Sequence, residues 1–370
     1  MKIKEVKSRS DFKKFIYLPD KIYKDDNNRV PKLNIDIKHL LGDDNPFFEH
    51  AFKKLFIAYK NKEPVGRIAA IIDWNYVDFQ GEKIGFFGFF EAVNDLEITK
   101  ALFSKVETVL KEKGMENIIG PMNPSSNDEC GILVDGFDRP PRIMMNYNPQ
   151  YYIELLEQAG YRKAKDLYAL NMKVESGPQK RLERIVGKLK KRHPELSSRT
   201  INTKNFKEEV SIIKDIYNSA WIKNWGFVPW TEAELNDLAK QLKPLVVEEL
   251  VHIGFWKDEP IGFLFALPDY NEIIRDIGHS LFPFGWVKFL TAAKKIKNLR
   301  LLALGVKREY HNKGVGTLMY YHSLENALRM GYRECEFSWI LEDNTETLKI
   351  GRMMGGKIYK TYRIYGRNLT

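Results

Sequence analysis

Two stretches far apart in the chain share one pattern of apolar and polar positions. Residues 58–73 read AYKNKEPVGRIAAIID and residues 254–269 read GFWKDEPIGFLFALPD. Each has an apolar run, a polar turn with Glu-Pro, then Val/Ile-Gly and a second apolar run. Proline's fixed φ suits such a turn, so each stretch predicts a β-hairpin. Pro64 and Pro260 lie 196 residues apart. Further on, ELLEQAGY (154–161) and KIGRMMGG (349–356) predict helices that stop at Gly160 and Gly355, 195 apart, each followed by a tyrosine-rich strand.

The middle helices correspond as well. Leu102, Val106, Val109 and Leu110 recur at helical spacing before Gly114, and Leu318, Tyr321, Leu324 and Leu328 do so before Gly331. One repeated register predicts a duplicated domain. The middle-helix offset is 217, so insertions separate the copies, around 270–298 in the second and 121–148 in the first. The predicted division is a first domain over 1–175 with a polar insertion at 120–150, a connector over 176–204, and a second domain over 205–370. The connector contains Gln179 to His193 (QKRLERIVGKLKKRH), where Leu182, Ile185, Val186 and Leu189 form an amphipathic helix stripe under a cationic face.

Hydrophobic residues at 44% and charged residues at 29% fit a soluble globular chain. No apolar run reaches membrane-spanning length, and Met1-Lys2-Ile3-Lys4 opens no apolar signal core. Two cysteines, Cys130 and Cys335, are too few for a disulfide framework, so a reducing cytoplasm is the expected location. The seven histidines show no ligand spacing, and no metal site is expected. The net charge of +10 favours anionic partners; a phosphorylated co-substrate and a solvated basic surface are expected in preference to nucleic acid or membrane.

The chemistry-bearing run is 299–331, LRLLALGVKREYHNKGVGTLMYYHSLENALRMG. An apolar strand, Leu299 to Val306, enters a basic loop that closes with Gly314-Val315-Gly316 and opens into a helix. Free N–H groups and the helix dipole at that terminus, with glycines allowing close approach, make a cradle for a pyrophosphate. There is no third glycine for a dinucleotide fingerprint and no lysine for a phosphate-binding P-loop.

The run resembles the GNAT acetyltransferase superfamily, which carries a strand ending in Val, a Tyr, then Arg/Gln-x-x-Gly-x-Gly/Ala at a helix start. Val306, Tyr310 and His311 to Gly316 stand in those places. The resemblance covers 205–370 and implies a fold of the mixed α/β (α+β sheet) class, built as two tandem GNAT-like acyl-CoA N-acyltransferase domains. It implies acetyl-CoA or another acyl-CoA as co-substrate. Leu304 and Val306 would meet the thioester arm, and His311, Asn312, Lys313, Gly314, Val315, Gly316 and Thr317 the pyrophosphate. Asn344, after the strand in RECEFSWILEDNT, stands where the family often touches the cofactor arm; it also reads as a helix cap. Gly351 replaces the tyrosine that often protonates the leaving thiolate, and Gly356 replaces an aromatic residue. The first copy has the acidic Asn94-Asp95-Leu96-Glu97-Ile98-Thr99 in place of the glycine loop, which implies a degenerate copy.

Acceptor and base are less marked. The insertion GPMNPSSNDECGILVDGFDRPPRIMMNYNPQYY (120–152) offers Asn123, Ser125, Asn127, Arg139, Arg142 and Asn146 to a polar acceptor, or else forms an ordered surface. Trp225, within WIKNWGFVPW, lines an acceptor pocket or packs in a core. Glu336, Ser338 and His252 are the candidate bases, each with a structural reading beside it. The apolar stretch Ile277–Leu290 lines a long-chain pocket or packs in a core. The expected reaction is N-acylation of the amine of a small molecule or amino acid. Two alternatives stay open: an acyl-CoA-binding protein without turnover, and a tRNA-dependent aminoacyl or peptidyl transferase.

Overall fold

A computed structural model describes residues 1–174, 180–280 and 285–370. Gln179 and the start of the 176–204 connector lie outside the described residues, as do positions 281–284 and the Leu290 side chain of the apolar stretch Ile277–Leu290.

Twelve strands carry the argument. The first six are β1 (Lys2–Glu5), β2 (Ala51–Lys60), β3 (Glu63–Asp73), β4 (Ile84–Ala92), β5 (Asn117–Gly120) and β6 (Arg162–Lys173). The others are β7 (Leu196–Thr200), β8 (Val251–Trp256), β9 (Glu259–Pro268), β10 (Asn298–Val306), β11 (Glu334–Leu341) and β12 (Lys357–Asn368). The helices that matter are α1 (Arg9–Ile22), α2 (Leu96–Glu112), α3 (Tyr152–Gln158), α4 (Lys180–Arg192), α5 (Phe206–Trp221), α6 (Val315–Arg329) and α7 (Thr345–Met353).

The chain divides into two compact units. One comprises Met1–Leu167, Asn271–Ala292 and Lys360–Thr370; the other comprises Tyr168–Tyr270 and Ala293–Tyr359. In unit 1 the strand order is β1-β2-β3-β4-β5-β12. Residues 271–292, which read in sequence as an insertion of the second copy, belong to unit 1. Asn271 Nδ2 donates to the Pro141 carbonyl at 3.0 Å, and Asn34 N donates to the His279 carbonyl. In unit 2 the order is β6-β11-β10-β9-β8-β7.

The repeated hairpins form in the same detail. Tyr59 faces Pro64 and Phe255 faces Pro260, each just after a register shift. Asn61 and Lys257 both adopt left-handed backbone at the turn, with φ of 53° and 54°. Gly66 then faces Ala92, and Gly262 faces Val306. Those pairs make β4 and β10 equivalent strands, and they align the two copies residue by residue.

Each copy packs one amphipathic helix on its sheet. In unit 1, Leu102, Phe103, Val106 and Leu110 of α2 are fully buried, and Phe103 meets Phe87 and Tyr161 at 4.9 and 4.4 Å between ring centroids. In unit 2, Leu318 and Leu324 of α6 are buried, while Tyr321 and Leu328 are half-buried.

Candidate functional site

In unit 2 the parallel strands β10 and β11 pair only from Asn298↔Glu334 to Leu301↔Phe337. On its other side β10 stays paired with β9 as far as Val306. The last residues of β10 therefore keep one edge clear of the β11 ladder. A register shift between Phe265 and Ala266 leaves Leu302 as an extra residue on β10 at the point of divergence. Such a bulge bends its strand and re-aims the residues beyond it.

The loop after β10 is anchored from several sides. Lys307 Nζ and Tyr310 Oη both donate to Glu259, each at 2.9 Å. The Lys313 ammonium sits 5.1 Å from the Trp256 ring centroid. His311 Nε2 lies 3.0 Å from the Val306 carbonyl, so the imidazole N–H donates back to the end of the strand. Gly314 then turns the chain with φ +81°, and α6 begins with no side-chain cap. A Cβ at Gly314 would come within 2.5 Å of Leu189 on α4, so backbone and packing both demand glycine there.

Gly316 differs. A Cβ there would meet only Val306 Cγ2 at 3.7 Å and Leu304 Cδ1 at 4.0 Å, ordinary contact distances. Protein packing leaves room beside it, at a bare helix start and next to Leu304 and Val306. A phosphate oxygen bound to the first-turn amides would fill that space. Leu304, Val306 and His311 through Thr317 are thus brought together as one surface, and these residues fit a pyrophosphate and its arm.

Asn344 caps α7: its Oδ1 accepts from Thr347 N at 3.1 Å. Gly351 is buried, and a Cβ there would stand 2.8 Å from Leu170 Cδ2. The position of the family tyrosine is therefore turned into packing against β6.

The candidate bases sit in two places. Glu336 and Ser338 lie on β11 where it leaves β10. Glu336, fully buried, accepts from Ser338 Oγ at 2.5 Å and from Tyr359 Oη. Arg300 Nε lies 3.7 Å from Glu336 Oε1 and donates to Ser338 Oγ at 2.9 Å. A carboxylate so compensated is arranged to hold shape. His252 is buried under α6, near Asn326 and His322. Burial holds its pKa down at about 4, and its ring N–H donates to the Glu249 carbonyl at 3.1 Å.

On the other face of unit 2, the Trp221 ring presses on β10: a Cβ at Gly305 would lie 2.2 Å from it. Trp221 stacks on Tyr217 at 4.7 Å and meets Phe263 at 5.6 Å. Sequence reasoning singles out Trp225, half-buried in the loop after α5, but has no signal for Gly305 under Trp221.

The polar candidates of the insertion lie in unit 1 and mostly tie that segment to itself. Asn146 Nδ2 donates to the Cys130 and Gly131 carbonyls at 2.8 and 2.6 Å. Ser125 Oγ donates to Asp128 at 2.6 Å and accepts from Asn127 N at 3.1 Å. Arg139 is exposed, 3.8 Å from Asp138, and the Arg142 carbonyl accepts from Met145 N. Asn123 accepts from Phe89 N on β4 at 2.6 Å.

Residues 211–355 match the Acetyltransferase (GNAT) family. The chain is 36% identical over 370 residues to Protein YghO of Escherichia coli K12, covering 98% of this chain and 94% of that one. The chain belongs to the GNAT acetyltransferase family. It is also 35% identical over 373 residues to a protein named bacterial ceramide synthase from Caulobacter vibrioides, covering 98% of this chain and 96% of that one. In fold it is similar to a tandem GNAT protein from the clavulanic acid biosynthesis pathway, with a TM-score of 0.60, 10% identity, and coverage of 100% of this chain and 98% of that one. The duplicated domain expected from the repeat, and the tandem GNAT architecture that the resemblance implies, are thereby shown. Among the described residues no helix is long and apolar enough to cross a membrane.

Proposed function

We propose that unit 2 transfers an acyl group from acyl-CoA to the amine of a long-chain amino alcohol, forming an amide. The single observation that carries the donor half is the cleared edge of β10 beside the uncapped start of α6, with space at Gly316. The likeness to a protein named a ceramide synthase supports the acceptor class, since a ceramide is the N-acyl derivative of such an amine. This narrows the small-molecule amine expected from sequence to an amphiphile.

In this reading the first-turn amides of α6 bind the pyrophosphate, and the free edge of Leu304–Val306 aligns the pantetheine arm. The thioester then rests near the divergence of β10 and β11, its carbonyl polarised by backbone donors. A small apolar cavity of about 20 Å³ lies beside that point, lined by Leu264, Leu301, Tyr320, Leu324, Ala327 and Phe337, and an acyl chain entering there would have to widen it. The neutral amine attacks the carbonyl carbon, the C–N bond forms, the C–S bond breaks, and the amine's proton neutralises the thiolate. Glu336 and Ser338 would position the strand end rather than take the proton.

A second reading, acyl-CoA binding without turnover, is favoured by one observation: Gly351 supplies no general acid. Incubation of the purified chain with palmitoyl-CoA and sphinganine separates the two. Amide in the mass spectrum with matching thiol release supports transfer; tight palmitoyl-CoA binding with no amide leaves the binding protein; no binding sinks both.

A further inference from the structure

Helix α4 carries seven cationic residues and one glutamate in 13 residues. Its apolar stripe is spent inside unit 2, with Val186 buried and Leu189 packed on Gly314. Lys190 turns toward His322, 3.4 Å from its Nε2. Arg181, Arg184, Lys188 and Lys191 fall on the opposite side at i, i+3, i+7 and i+10, and all four are exposed. Among the described residues no ion pair engages them. The helix is about 20 Å long, so the stripe is a continuous positive ridge.

The place of this ridge matters as much as its charge. Leu189 backs Gly314, so the ridge flanks the loop where the phosphate end of the donor's arm would rest. A free CoA presents one further phosphate beyond its pyrophosphate and needs one or two cations. A ridge of this length matches a larger anionic body that carries the arm. The apolar stripe is turned toward unit 2, with Val186 buried and Leu182, Ile185 and Leu189 half-buried, and is not presented for insertion into a bilayer.

We infer, building on the acyl-transfer reading, that α4 docks an acidic acyl carrier protein, whose phosphopantetheine arm delivers the acyl thioester into the β10–β11 opening. The chemistry balances as it does with CoA: the amine nitrogen bonds to the acyl carbon, the carrier's C–S bond breaks, and the carrier thiol leaves with the amine's proton. Charge complementarity of this kind is expected to set association rate and salt sensitivity.

The test uses the full chain and the triple variant Arg184→Glu/Lys188→Glu/Lys191→Glu, with circular dichroism and unfolding midpoint as fold controls. Binding is measured for palmitoyl-loaded acyl carrier protein, palmitoyl-CoA and phosphatidylglycerol vesicles at low salt. The expected result is carrier binding by the wild type, a loss of more than tenfold in the variant, and palmitoyl-CoA affinity unchanged within twofold. An equal loss for both thioesters would make the ridge a nucleotide subsite and overturn the inference. Vesicle binding that depends on the same three residues, without carrier binding, would overturn it in favour of a membrane surface. If palmitoyl-CoA binds and the carrier does not, the inference fails alone; if neither thioester binds, the acyl-transfer reading fails with it.

Discussion

The two copies open the same pair of strands and do opposite things with the opening. In unit 1, β4 and β5 pair in parallel from Ile84↔Asn117 to Phe86↔Ile119 and then part, as β10 and β11 do in unit 2. The freed edge of β4 is taken up by the chain itself. Phe89 N donates to Asn123, Ala92 N donates to Tyr152 Oη at 2.9 Å, and Tyr151 Oη donates to the Ala92 carbonyl at 2.8 Å. The helix start is also taken: Asp95 accepts from Glu97 N and Ile98 N at 3.0 and 3.3 Å. Side chains of the insertion stand where a pantetheine arm would lie, and a carboxylate stands where a phosphate would. Among the described residues, unit 2 leaves its helix start without a side-chain cap, and of the parted β10 edge a side chain takes only the Val306 carbonyl, through His311. A fold holds its groove open only where no nearby side chain satisfies the exposed backbone groups.

The largest effect should come from filling the one open cradle. Gly316→Glu puts a carboxylate into the anion space and should weaken palmitoyl-CoA binding about 1,000-fold, roughly 4 kcal/mol. Asp95→Asn in unit 1 should leave binding unchanged, and calorimetry of the wild type should give one site per chain. Two sites per chain, or full affinity in Gly316→Glu, would erase the proposed asymmetry.

Removing the plug sharpens the same contrast from the other side. Tyr152 Oη accepts from Ala92 N and donates to Glu91, a buried carboxylate paired with Arg67. Burial raises the Glu91 pKa while Arg67 opposes that shift. Tyr152→Phe leaves the amide and the carboxylate short of a partner and should lower stability by about 1–3 kcal/mol, read as a shift of denaturation midpoint. Acyl-CoA affinity should not move. A gain of a second CoA site in Tyr152→Phe would show that the plug alone closes the first copy.

Phe56 and His252 occupy equivalent places, opposite Ile68 and Leu264 in the matched hairpins. Burial lowers the His252 pKa from 6.5 to about 4. The unfolded chain therefore takes up a proton near pH 6.5 that the folded chain refuses until about pH 4. Stability from this site is present above pH 6.5 and is lost as pH falls between those values, by about 1–3 kcal/mol. His252→Phe, which copies unit 1, should flatten that part of the stability–pH curve. An unchanged acid slope would remove His252 from the account.

Much of this is legible in the sequence, and the residues show why. The hairpin offset, the glycine loop and the strand ending at Val306 are local patterns fixed by backbone demands, and all three lead to the GNAT fold. The insertion is ambiguous because Asn123 or Tyr152 reads alike as a ligand-binding or a backbone-binding side chain; only the parted edge of β4 decides. The membership of residues 271–292 in unit 1 rests on long-range contacts such as Asn271 to Pro141, which leave no periodic trace. Glu336 looks like a base because an acidic residue inside an apolar strand is conspicuous, while its partners Arg300 and Tyr359 are distant in sequence.

The smallest effect tests the acyl cavity. Counting back from the helix-ending glycines Gly114 and Gly331, Val106 and Leu110 of α2 correspond to Ser323 and Ala327 of α6. The larger pair is fully buried and fills unit 1; the smaller pair lines the apolar cavity of unit 2. Ala327→Leu therefore moves one filling side chain from the first copy to the second. Three added carbons in a site that now holds none should exclude the end of a long chain and leave a two-carbon acyl group untouched. The expected result is about a tenfold loss in kcat/KM for palmitoyl-CoA relative to acetyl-CoA, roughly 1.4 kcal/mol. A uniform loss for both donors would mean that the helix had shifted instead. No change for either would place the acyl chain elsewhere, and would leave the cavity of unit 2 as an imperfection of packing that the first copy happens not to share.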